Sequence, residues 1–198
     1  KRAYFIEVVR HPAYMIKQLY TSTMKDLINN VRYWCIHIDY KGSPIPYWVD
    51  GYEDIFIKSN DVEKAVLFIN YYQQKVEKFK KIHRNDDFNI HTISFEKFVL
   101  DPDKRLDNLL KFIKTKKTKH TDKVLLKQKV PRIKTVDTLD LEIYRRVGGY
   151  SESIEGFTEK EELDLRKDWT KEKVDQKIFK LFLDLCDRYE QNIWKPVN

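Results

Sequence analysis

Residues 3–9 are apolar at nearly every position, which predicts a strand covered on both faces rather than one with a wet side. The run stops at Arg10, and Pro12 follows. The helical period then takes over from residue 13 to about 29, with Met15, Ile16, Leu19, Leu27 and Ile28 on the buried stripe and Lys17, Lys25 and Asp26 toward water. Asn29-Asn30 ends that helix. Residues 31–50 change character: Val31 to Tyr40 and Ile45 to Val49 are β-branched and aromatic around Lys41-Gly42-Ser43-Pro44, which predicts a hairpin insertion whose second strand Pro46 keeps at an edge. This aromatic surface either packs on the domain or offers an acceptor-binding wall or partner surface. His37 within it reads as structural rather than catalytic.

Ser59-Asn60-Asp61, followed by Glu63, signals the start of a long helix through Val66, Phe68, Ile69, Tyr72, Val76 and Phe79 to about Ile82. Lys75, Lys78, Lys80 and Lys81 near its end form a solvated face. A polar linker leads to a second strand, Phe88 to Phe95. Then come Glu96 to Leu100 and a helix carrying Leu106, Leu109, Leu110 and Ile113, with Asp101 as cap and Pro102 in its first turn. Residues 115–136 are rich in Lys and Thr without period, an exposed basic loop. Leu139 to Arg146 reads as helix, broken at Val147-Gly148-Gly149. Thr158 and Glu161 form a capping box that opens the last helical region, where Phe179, Phe182, Leu183, Cys186 and Tyr189 make the apolar face. The order strand, helices, strand, helix implies an α/β fold: a parallel sheet flanked by helices, with the strand ending at Val9 close to the strand ending near Phe95.

Composition narrows the classes. A length of 198 residues with 41% hydrophobic and 35% charged content fits one globular domain. No apolar run approaches the roughly 18 to 20 residues of a membrane helix. The net charge of +7 points to polyanionic partners: nucleic acid, nucleotides, sulfated or phosphorylated substrates. Nucleic acid is the weaker of these, because the basic run Lys114 to His120 lacks interleaved aromatics. Cys35 and Cys186 have no CxxC spacing, which speaks against a metal site, and the absence of an Asn-x-Ser/Thr acceptor adds to the expectation of a reducing, cytoplasmic setting.

Candidate chemistry begins at Arg10. In an open α/β sheet, ligands bind beyond the carboxyl ends of strands, where a following helix also aims its N–H groups and positive dipole end. An arginine there is positioned for an anion; the alternative is a surface ion pair.

Three stretches carry a resemblance. Val8-Val9-Arg10-His11-Pro12 with its helix resembles the segment of the sulfotransferase family that holds the 3′-phosphate of 3′-phosphoadenosine 5′-phosphosulfate (PAPS). Ser94-Phe95-Glu96-Lys97-Phe98 to Pro102 is similar to that family's aromatic-Glu-Asp segment, in which a tyrosine lies by the adenine. Tyr144-Arg145-Arg146-Val147-Gly148-Gly149, running to Gly156-Phe157-Thr158, is similar to its basic-Gly loop. The resemblance implies a P-loop-NTPase-like sulfotransferase fold, PAPS as cofactor, and a cofactor set of Arg10, Gln18, Phe95, Arg145, Arg146 and Gly148. Arginine's planar fork suits phosphate oxygens. Gln18 stands where the family has serine, Lys97 where it has aspartate and Val147 where it has glycine.

The resemblance also implies an acceptor hydroxyl, on a small molecule or carbohydrate, that attacks sulfur. The family's phosphosulfate loop and catalytic His or Glu precede the arginine strand, so catalytic residues are expected upstream of Lys1 and residues 1–198 alone, a partial domain, are expected to be inactive. Otherwise a base would have to come from His11, His37 or His91. Two competing readings are a non-catalytic binding or interaction module on the same fold and a basic nucleic-acid-binding domain.

Overall fold

The computed structural model describes residues 4–21, 36–49, 51–83, 89–135 and 158–194. It is α/β, with a small parallel sheet flanked by helices. Strand β1 (Tyr4–Val9) leads into α1 (Pro12–Thr21). A hairpin, β2 (His37–Tyr40) and β3 (Ser43–Pro46), runs through a 3-10 turn (Tyr47–Val49) into α2 (Glu53–Lys58) and the long α3 (Asp61–Ile82). Strand β4 (Asn89–Ser94) passes without a loop into α4 (Phe95–Leu100), then α5 (Pro102–Phe112) and α6 (Thr121–Lys127). Helices α7 (Glu159–Lys171) and α8 (Gln176–Asn192) complete the described chain. No described helix is long and apolar enough to cross a membrane.

Strands β1 and β4 pair in parallel, in register from Tyr4 with Asn89 to Val9 with Ser94. Their carboxyl ends are therefore level, and the next residues, Arg10 and Phe95, emerge side by side. Side chains alternate between faces. Tyr4 meets Phe112 of α5 edge-on at 5.4 Å, and His91 stacks on the same ring at 5.1 Å. On the other face Glu7 and Thr92 meet Lys80 of α3, with Lys80 Nζ donating to Thr92 Oγ1 at 3.0 Å and to Glu7. Lys80 is thus tied to the sheet, not part of a wholly solvated face.

The expectation that β1 is covered on both faces is corrected. Phe5, Ile6 and Val8 are 44%, 47% and 63% exposed, because among the described residues the sheet has two strands and β1 is its edge. Helix α1 corrects the sequence reading in the other direction. It lies against α3, α7 and α8, so Ala13, Tyr14, Ile16 and even Lys17 are buried, while Met15 and Leu19 are only partly so. The core continues through Val66 and Ile69 of α3 and Phe182, Leu185 and Cys186 of α8.

The hairpin turns at Lys41-Gly42, both with positive φ (54° and 79°), which glycine tolerates without a Cβ penalty. Its aromatic end is core: Trp48 packs edge-on against Phe56 at 5.4 Å and Phe68 at 5.2 Å. His37 is exposed, not structural, and Ile36, Ile38 and Tyr47 remain on the surface. Residues 31–35 and 50 of the expected insertion lie outside the described residues, as does the predicted end of the first helix at residues 22–30.

Two capping boxes form where the sequence places them, Asn60 with Glu63 and Thr158 with Glu161. Asp101 does not cap α5 with its side chain, although Pro102 does occupy the first turn. The stretch 115–136 is not all exposed loop: it contains α6, and its end folds back onto the domain. Val130 and Thr135 are buried there, Arg132 N–H donates to Val99 O at 2.7 Å, and the Thr135 hydroxyl donates to Glu159 at 2.6 Å.

Candidate functional site

The level ends of β1 and β4 create two adjoining layers, one buried and one open. In the buried layer Glu96, the second residue of α4 and 0% exposed, accepts from His11 N–H at 2.9 Å, Ser94 Oγ at 3.1 Å and the Tyr189 hydroxyl. Ser94 Oγ in turn caps α4 by accepting from Lys97 N–H at 3.2 Å. One carboxylate thus ties the turn after β1, the end of β4 and helix α8 together.

His11 is equally enclosed, at 0% exposure. Its Nδ1 accepts from Ala13 N–H at 3.1 Å, so the proton sits on Nε2, which donates to Glu190 Oε1 at 3.0 Å. Burial lowers its pKa, which agrees with that neutral form. The hydrogen bond from His11, aided by Lys167 at 2.8 Å, brings Glu190 down to about 2. With both ring nitrogens engaged and no exposed surface, His11 positions the first turn of α1 and is not an accessible base. His91 is stacked on Phe112 and His37 lies out on the hairpin, so none of the three histidines is set beside Arg10 as a base.

Arg10 leads the open layer. Its guanidinium carbon lies over the Phe95 ring at 4.7 Å and near the Tyr14 ring at 5.4 Å, and its Nη1 donates to Gln18 Oε1 at 3.0 Å. Nε and Nη2 are buried without a hydrogen-bond partner, and no carboxylate among the described residues reaches Arg10 within ion-pair distance. Gln18 lies two turns into α1, on its exposed side. Of the expected site residues, Arg10 thus contacts both Gln18 and Phe95. The other three, Arg145, Arg146 and Gly148, lie outside the described residues.

A second cation, Arg132 from the stretch expected to be an exposed basic loop, joins them. Arg132 stands over the same Phe95 ring at 5.8 Å, held by its own N–H on Val99 and by Nη1 on the Thr135 carbonyl at 3.1 Å. The Phe95 ring thus carries a cation–π contact to each of two guanidiniums, a contact worth about 0.5–2 kcal/mol per cation. Beside Arg10 opens a cavity of about 370 Å³, mostly apolar, lined by Val9, Met15, Phe68, Tyr72, Val76 and Tyr189 among others.

Behind Arg10, Tyr14 also carries Arg166 at 4.7 Å, and Lys17 lies 5.0 Å over the Trp169 ring. Burial, with Arg166 and Lys173 nearby, pushes Lys17 down to about 7 from 10.5. The unfolded chain therefore binds more protons than the folded one between about pH 7 and 10.5, and stability rises with pH across that window. Lys17→Met should flatten the rise, so that the variant's stability changes less between pH 6 and pH 9 than the parent's. Urea unfolding at pH 6 and pH 9 checks this; a variant that loses stability equally at both would contradict it.

No protein-family model, no curated protein and no solved structure matches this chain.

Proposed function

We propose that this chain is the nucleotide-holding part of a PAPS-dependent sulfotransferase, on a P-loop-NTPase-like sulfotransferase fold. The observation that carries the proposal is Arg10: a guanidinium at the end of a parallel strand, with two buried nitrogens unpartnered, sharing the Phe95 ring with Arg132. A phosphate at this end of the sheet would accept from the Arg10 guanidinium once that side chain turns its free nitrogens off the aromatic rings, with Arg132 adding positive charge nearby. The exposed amide of Gln18, whose oxygen already holds Arg10, keeps its N–H donors for the same phosphate. Phe95 offers an apolar face for adenine. Arg145, Arg146 and Gly148 complete the proposed cofactor set.

PAPS supplies the sulfuryl group. What this chain contributes is binding, orientation and charge compensation at the 3′ end of the nucleotide. Because Trp48 is core, the acceptor side is better assigned to the cavity beside Arg10 than to the hairpin; about 370 Å³ suits a small acceptor.

Titration calorimetry with adenosine 3′,5′-bisphosphate tests the proposal. Binding should be saturable and should weaken as salt rises, since arginine–phosphate contacts are screened. Gln18→Ser should change affinity by less than about threefold, because a hydroxyl also donates to phosphate. No saturable binding at low salt would sink the nucleotide assignment.

A further inference from the structure

The side of β4 that faces away from β1 borders a second cavity, of about 240 Å³. Four consecutive residues, His91 to Ser94, line it. Successive side chains of a strand point to opposite faces, so a cavity touched by all four runs along the strand's edge rather than over one face. Arg105 and Asn108 of α5 wall it on one side and Asn192 and Ile193 at the end of α8 on the other, with Lys97 of α4 at its head. Among the described residues no strand pairs with this edge of β4.

We propose that this edge groove binds an extended acidic peptide segment of a partner protein, added to the sheet as a strand beside β4. An exposed edge offers a row of backbone N–H and C=O groups that a strand satisfies and a compact ligand does not. Charge selects among strands: the groove is lined by Lys97 and Arg105 and by no carboxylate, and Arg105 Nε is buried without a hydrogen-bond partner. Peptide carboxylates at alternate positions would face Arg105, while the side chains between them would face Ile193. The chain's net charge of +7 steers such a segment inward.

The probe is a fluorescein-labelled octapeptide of alternating threonine and glutamate, followed by anisotropy with the whole chain at low salt. Saturable binding is expected, with amide shift changes in a labelled protein at His91 to Ser94 and around Arg105. Arg105→Ala should weaken it about tenfold, the scale of one charge-assisted hydrogen bond. N-methylating alternate residues on the edge-facing side of the peptide should weaken it by at least as much, while a threonine–lysine octapeptide should not bind. Absent binding, equal binding of the N-methylated peptide, no effect of Arg105→Ala in a folded variant, or shift changes confined to Arg10 and Phe95 would each overturn the proposal. So would tighter competition at the same residues by single-stranded RNA.

Discussion

Glu96→Ala is expected to remove about 3–5 kcal/mol of stability, the cost of leaving buried polar partners uncompensated. The His11 amide would lose its acceptor outright, and the Ser94 and Tyr189 hydroxyls would keep only each other at 3.2 Å and, for Tyr189, the Val9 carbonyl at 3.3 Å. None can turn to water, since His11, Ser94 and Tyr189 are 0%, 6% and 3% exposed. A domain of this size is stable by about 5–15 kcal/mol, so the variant should sit near its unfolding threshold. Glu96→Gln keeps the shape and one acceptor oxygen and should cost about half as much. Denaturant titrations compare the two, and a loss below about 1 kcal/mol for the alanine variant would show that the junction of β1, β4 and α8 does not depend on this carboxylate.

Much of that junction could be read from residue order, and its chemistry could not. Val8-Val9-Arg10 reads as an apolar run ending abruptly and Phe88 to Phe95 as a second strand, and parallel in-register pairing then brings Arg10 beside Phe95. The capping boxes were equally legible, because Asn60 with Glu63 and Thr158 with Glu161 are local signals whose partners lie three residues apart. Glu96 carried no such signal: apart from Ser94, its partners are 85 and 93 residues away and come from elements that only the packed fold brings together. Lys17 fell on the polar side of a helical wheel, yet the wheel cannot anticipate that α1 would be enclosed by α3, α7 and α8. Arg132 was hidden for the opposite reason. In a stretch dense with lysine and threonine nothing local distinguishes the one cation whose backbone is pinned to Val99. The half-open β1 was missed because an apolar run reports which side chains favour burial, not whether a neighbouring strand is there to bury them.

The second large effect concerns the anion site. Arg10→Ala should weaken adenosine 3′,5′-bisphosphate by about 1.5–3 kcal/mol, the range for hydrogen bonds to a charged group, or roughly 10- to 150-fold. Arg132→Ala should cost less, because its guanidinium also serves the Thr135 carbonyl and stands farther from Phe95 than Arg10 does. If both cations serve one phosphate as proposed, the two losses should not add. Arg10→Ala removes no hydrogen bond of the Glu96 junction, so its thermal unfolding should stay near that of the parent, whereas Arg132→Ala also removes the donor to the Thr135 carbonyl and should unfold earlier.

The most direct measurement is calorimetric discrimination between adenosine 3′,5′-bisphosphate and adenosine 5′-monophosphate by the parent protein and by Arg10→Ala, at one salt concentration. The parent should prefer the bisphosphate by about tenfold or more, and Arg10→Ala should bring the two ligands to within about threefold of each other by weakening only the bisphosphate. Equal affinity of the parent for both ligands, or a preference that survives the loss of Arg10, would contradict a 3′-phosphate site at the ends of β1 and β4.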